Sequence, residues 1–158
     1  MIRVTSPGKL VLMGEYAVLD GAPSIVAAVD RGVLCEATAS DALTIETPSG
    51  DDRFVRAAIH ACSAPARGHF RFSDQNPTTT IDKAGFGRSA AATVAAVLAA
   101  TRLSGNQLDR ADLRACAHHV HRTVQGNGSG IDIAASVYGG LIRVEGTAVR
   151  ALEAFQPV

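Results

Sequence analysis

Residues 89–103 read SAAATVAAVLAATRL and, apart from Ser89, the threonines and Arg102, carry no polar side chain. Length and alanine content favour a helix. A helix that is apolar on nearly every side must be buried, so the rest of the chain has to cover it. Polar residues hem the stretch in, and it is too short to span a membrane. Ser104-Gly105-Asn106 ends it.

The remaining sequence can supply that cover. At 158 residues and 47% hydrophobic, the chain has the size of one domain and enough apolar surface for a core. Aromatics make up 4%, so the core is aliphatic. The first fifty or so residues read mostly as strand. Ile2–Thr5 alternates until Ser-Pro-Gly breaks it, and Leu10–Met13 is a short apolar run predicted as a buried strand. Ser24–Val29 and Val33–Thr38 form two further runs, and Leu43–Thr47 alternates. Phe54–Cys62 is predicted helical, His69–Ser73 a strand, and Thr78–Asp82 its candidate partner. Asp109 is placed to N-cap a helix running to about Val124. A short helix over Ile131–Tyr138 and a strand over Leu141–Glu145 follow.

Charge narrows the function. Formal net charge is zero and pI about 7, which with so few aromatics argues against a nucleic-acid partner. Of the 15 basic residues only Lys9 and Lys83 are lysines, and both lie in or beside glycine-rich turns. Cys35, Cys62 and Cys116 are scattered, as expected of free thiols in a reducing compartment. The N-terminus, MIRVTSPGK, has no apolar signal segment. A cytoplasmic protein without a membrane partner is expected. The chain ends ALEAFQPV just after a strand, as if continuing into a longer protein.

Three turns carry candidate chemistry. The first, KAGFGRSAAAT from Lys83, satisfies the G-x-G-x-x-(G/A) dinucleotide pattern but lacks the acid-tipped second strand that pattern needs. No Walker A spacing exists. Gly85 and Gly87 still let the backbone approach a ligand, and the helix start after them suits an anion. Ser89 can offer a hydroxyl to a phosphate or to Mg²⁺. Taken alone, the stretch reads equally as a tight turn into a buried helix. In the second turn, Ser6-Pro-Gly-Lys9, a lysine heads an apolar strand, where it can neutralise a phosphate, pair with Glu15, or be solvated. In the third, GNGSGIDIA from Gly126, Asp132 is either a first-turn helix charge or a base. His118, His119 and His121 spread too widely on their helix to bind zinc and are expected at the surface.

In this order the three stretches resemble the GHMP kinases, the family of galactokinase, homoserine kinase, mevalonate kinase and phosphomevalonate kinase. SPGKLVLMGEYAVLDG resembles the first motif of that family, KAGFGRSAAATVAAVLA its ATP-phosphate loop, and QGNGSGIDIAASVYGG the segment bearing the catalytic aspartate. The resemblance implies an α+β fold, a mixed β-sheet with helices packed on one side, built as the N-terminal ATP-binding domain. The C-terminal domain with a third glycine-rich motif is absent from residues 1–158. It implies ATP and Mg²⁺ as cofactors and a phosphorylated or hydroxylated small acid as substrate. Lys9 and Asp132 would be catalytic. Lys83, Gly85, Phe86, Gly87, Arg88, Ser89 and Ala90 would hold the nucleotide, with Ser89 also on the metal. Glu15, Ser129 and Gly130 would contact the acceptor.

Within the family, the Lys83–Gly87 lead-in and His121–Gly130 resemble phosphomevalonate kinases. In mevalonate kinases a magnesium-binding glutamate precedes the aspartate by eleven residues, and that position here is His121. Gly14-Glu15-Tyr16 is closer to mevalonate kinases. The expectation is therefore 5-phosphomevalonate as acceptor, with mevalonate, or a non-catalytic fragment, as alternatives. A missing second domain or a homodimer would complete the site. Arg88 replaces the first serine of the usual pair, and is expected to point to solvent while Ser89 does the pair's work.

Overall fold

The computed structural model describes residues 1–62, 66–76 and 85–153. Its strands are β1 (Ile2–Met13), β2 (Ser24–Thr38), β3 (Leu43–Glu46), β4 (Gly68–Asp74), β5 (Leu141–Glu145) and β6 (Ala148–Leu152). Its α-helices are α1 (Arg53–Cys62), α2 (Arg88–Leu103), α3 (Arg110–Gln125) and α4 (Ile131–Tyr138). One sheet has the order β3-β4-β2-β5-β6, with β1 on the other edge of β2. β3 and β4 run parallel and the other pairs antiparallel, so the sheet is mixed.

β2 organises the sheet. Its Val33–Thr38 half pairs with β4 and its Ser24–Ala27 half with β5, while β1 runs along the opposite edge. The two apolar runs expected as separate strands are thus one, continuous through Asp30-Arg31-Gly32. Likewise Ser-Pro-Gly does not end the first strand. A register shift between Ser6 and Gly8 absorbs Pro7, which has no N–H to give the ladder. Thr78–Asp82, expected as a strand, lies outside the described residues.

Along β2, Val33, Cys35 and Ala37 are buried and alternate with half-buried Leu34, Glu36 and Thr38. The buried set, with Phe70 and Phe72 of β4, forms the floor of the main core. α2 lies on β1 and β2 and is flanked by the other three helices. Ten of its 16 residues are buried, which is the cover its sequence demands. A second, smaller core gathers Val26, Ile131, Ala134, Ala135, Ile142 and Val144 under α4. This is the expected α+β architecture. Leu10, Leu12 and Met13 depart from expectation, being 47%, 52% and 65% exposed. In this strand only the face with Lys9 and Val11 turns inward; Val11 packs on the smaller core. Among the described residues no helix is long and apolar enough to cross a membrane.

Candidate active site

The backbone brings two of the three turns together. Lys9 follows the bulge in β1, and its N–H donates to the carbonyl of Phe86 at 2.8 Å. A Cβ on Gly8 would sit 2.1 Å from the Arg31 carbonyl oxygen and 2.7 Å from that of Phe86. Only glycine therefore lets residues 85–87 lie across the lysine strand. Phe86 acts here through its main chain.

The third turn completes the cluster. Asp132 sits in the first turn of α4, where the helix dipole favours its charge. Its Oδ1 lies 3.3 Å from Lys9 Nζ, with the lysine side chain 13% exposed and the aspartate 35%. Asp132, and not Glu15, is thus the partner of Lys9 among the described residues. Glu15, Ser129 and Gly130 line the cleft above the pair, a cavity of about 310 Å³ that also includes His121.

Gly87 N-caps α2 at φ +70° with no side-chain cap. A Cβ there would come within 2.8 Å of Lys9 Cγ. The N–H groups opening α2 are thereby free of side-chain caps, an arrangement that suits an anion. Ala90 is buried, and the Thr93 hydroxyl donates to the Ser89 carbonyl at 2.7 Å. Arg88 turns away from the turn. Its guanidinium meets Asp74 at 2.7 Å and is half exposed, so it is an ion-paired surface residue. Lys83 lies outside the described residues.

His121 is the residue the sequence reading misplaced. It is buried, and its Nε2 lies 3.1 Å from Ser89 Oγ. Its ring stacks on Phe54 with centroids 4.8 Å apart. Burial lowers its pKa, Asp132 opposes that shift and His118 reinforces it. His121 was expected at the surface because it falls at the border of the apolar face of α3. The packing of α1 against α3 turns that border inward. His118 is also partly covered, whereas His119 is exposed. Adjacency to buried Val120 and Ala117 was the available signal for His121.

A second cavity, of about 240 Å³, adjoins Arg88 and Ser89 on the other side of the Ser89–His121 pair. Phe54, Val55 and Phe72 give it an apolar wall. Asp51, Asp74 and Arg88 also line this cavity, so charged groups border both.

Among the described residues no cluster of three or more His, Cys, Asp or Glu could hold a metal unaided. Mg²⁺ needs less, since it is commonly held by one or two protein oxygens together with substrate phosphates. Asp132 and Ser89 offer such oxygens.

Comparison with known proteins agrees with this geometry. The family model described as GHMP kinases N terminal domain matches residues 53–140. The chain is 32% identical over 155 residues to a mevalonate kinase of Methanothermobacter thermautotrophicus, covering 89% of this chain and 49% of that protein. The mevalonate kinase of Methanococcus jannaschii superposes with a TM-score of 0.84 at 19% identity, over 97% of this chain and 56% of the other. A Streptococcus pneumoniae phosphomevalonate kinase, in complex with phosphomevalonate and AMPPNP, gives 0.81 at 22% identity, over 92% of this chain and 50% of the other. The chain spans about half the length of the curated relatives it matches. The curated relative at 32% identity is a mevalonate kinase, the alternative to the phosphomevalonate kinase expected from the sequence. With the three turns converging on one cleft and the family model matched across 53–140, the chain belongs to the GHMP kinases, as their N-terminal domain.

Proposed function

We propose that this chain provides the ATP-binding half of a small-molecule kinase that phosphorylates mevalonate. The observation that carries the reading is the Lys9–Asp132 pair at the floor of a cleft, beside the uncapped start of α2. The N–H groups opening α2 at Arg88, Ser89 and Ala90 would cradle the ATP phosphates, with Gly85–Gly87 allowing their approach. The cavity walled on one side by Phe54 and Phe72 would take the nucleobase. Ser89 and Asp132 would hold Mg²⁺, which when bound offsets the charge of the phosphates. The acceptor hydroxyl would lie in the Glu15–Ser129–Gly130 cleft. Its oxygen forms a bond to the γ-phosphorus as the bond to the ADP oxygen breaks. Asp132 orients the hydroxyl and takes its proton, and Lys9 stabilises the charge on oxygen.

The chain spans about half the length of its relatives, and a second domain, in the same reading frame or on a partner copy, would complete the site. The isolated chain is then expected to bind nucleotide and turn over little. Free thiols fit a cytoplasmic setting. A second acceptor reading, 5-phosphomevalonate, is favoured by His121, an imidazole where mevalonate kinases carry a metal-binding acid, and by the Lys83–Gly87 lead-in. The test is ADP release with each acceptor separately, using the chain and the complete product of its reading frame. Turnover with mevalonate is expected. Turnover with 5-phosphomevalonate alone would overturn the assignment, and none with either would favour a non-catalytic module.

A further inference from the structure

α3 presents a second face whose chemistry the kinase site does not use. Arg114, His118 and Arg122 recur every four residues and so fall in one stripe, with His119 beside them. This stripe, the 128–129 part of the glycine-rich turn and the β5–β6 turn enclose a groove of about 710 Å³. Tyr138 lies in its wall, and among the described residues no acidic one lines it.

We propose that this groove is a second anion site, distinct from the Lys9–Asp132 cleft, and takes a small phosphorylated ligand. Two observations carry it. The volume lies in the range of small-molecule sites, about 300–1,000 Å³. The chain has zero net charge, yet two arginines and two histidines gather here without a lining carboxylate among the described residues.

Arg114 is also held in place. Its Nη2 donates to the Gly146 carbonyl at 3.1 Å and its Nη1 to that of Thr147. Those bonds fix a guanidinium at the β5–β6 turn, which lowers the cost of ordering it around a ligand. Arg122 is exposed and makes no salt bridge or side-chain hydrogen bond among the described residues, so it is available to close on an anion. Two turns of helix separate the two arginines, about 12 Å along the axis. Both side chains are long enough to turn toward one polyanionic ligand between them, and a planar guanidinium takes phosphate oxygens two at a time.

The groove also has a route to the cleft. Gly128 and Ser129 line both cavities. A ligand in the groove would touch the turn that leads to Asp132, and that consequence alone rests on the kinase reading.

The probe is inorganic pyrophosphate, titrated into the isotope-labelled chain at about physiological salt, where weak surface attraction is screened. Because the start of α2 should also take pyrophosphate, the two sites are read from separate resonances. The expected result is a saturable shift of the Arg114 and Arg122 Nε–H signals and of the Ser129 amide. Arg122→Glu should weaken that binding at least tenfold while leaving the shifts of Gly85–Ala91 in place. Arg114→Ala should do the same, but it also frees the β5–β6 turn, so Arg122→Glu is the decisive variant. Shifts confined to Gly85–Ala91 would overturn the groove site and leave the kinase reading standing. Non-saturating shifts, or an affinity unchanged in Arg122→Glu, would also overturn it.

Discussion

Lys9 Nζ and Asp132 Oδ1 stand 3.3 Å apart, though one residue lies near the start of the chain and the other near its end. β1 holds the lysine and the first turn of α4 holds the aspartate, and the backbone bond from Lys9 to Phe86 ties the phosphate-type turn to both. Lys9→Ala and Asp132→Asn should each lower kcat at least ~10²-fold in the completed enzyme. The double variant should lose much less than the product of the two, because the pair acts as a unit. Steady-state kinetics on the three variants checks this; fully multiplicative losses would separate the two roles.

Gly87→Ala should destabilise the chain by about 1–2 kcal/mol, the cost of a left-handed conformation for a residue with a Cβ. The added methyl also meets Lys9 Cγ at 2.8 Å, so nucleotide affinity should fall as well. Gly85→Ala is the control, since nothing lies within 4 Å of its Cβ position. Urea unfolding of the two variants side by side measures the difference, and equal midpoints would remove the strain at Gly87.

Arg88→Ser should change ATP affinity less than about threefold and stability by no more than ~1 kcal/mol, as for other exposed ion pairs. The reason is the Asp74 contact, which draws the guanidinium off the phosphate-type turn. Isothermal titration with an ATP analogue decides it. A loss of an order of magnitude would mean that Arg88 leaves Asp74 to grip a phosphate.

The buried thiols set a pH dependence. Burial, with a smaller contribution from Glu36, pushes the Cys35 thiol up to about 12. Burial and the neighbouring Cys116, whose Sγ is 3.8 Å away, push Cys62 to about 12 as well. The unfolded chain loses these protons near pH 8.5–9 and the folded chain keeps them. Above that pH the unfolded state binds fewer protons, so this contribution to stability is whole below pH 8.5 and is lost progressively as pH rises toward 12. Chemical denaturation between pH 8 and 11 should show the fall, and Cys35→Ala should make it shallower, leaving the part due to Cys62. Native Cys35 should also resist alkylation until the chain unfolds.

Local features were legible in the sequence. The Asp109 side chain accepts from the Asp112 N–H at 2.8 Å, the cap its position promised. α2 is buried as its composition required, because no other placement hides so many alanines and valines. Both follow from short-range chemistry, a capping oxygen in one case and an all-round apolar surface in the other. Three motifs in one order were also enough to indicate the family.

Tertiary structure decided the rest. Whether Lys9 faced solvent, Glu15 or Asp132 depended on how β1 packs against α4, a contact between the two ends of the chain that no local pattern encodes. His121 became buried because α1 brings Phe54 onto its ring, so a residue at the edge of a helical face took a place beside Ser89. Leu10 and Leu12 moved the other way, left exposed while Lys9 and Val11 on the same strand turned inward. Periodicity assigns a side chain to a face of its own helix or strand; which face meets another element, and which meets water, is set only when all the elements pack at once.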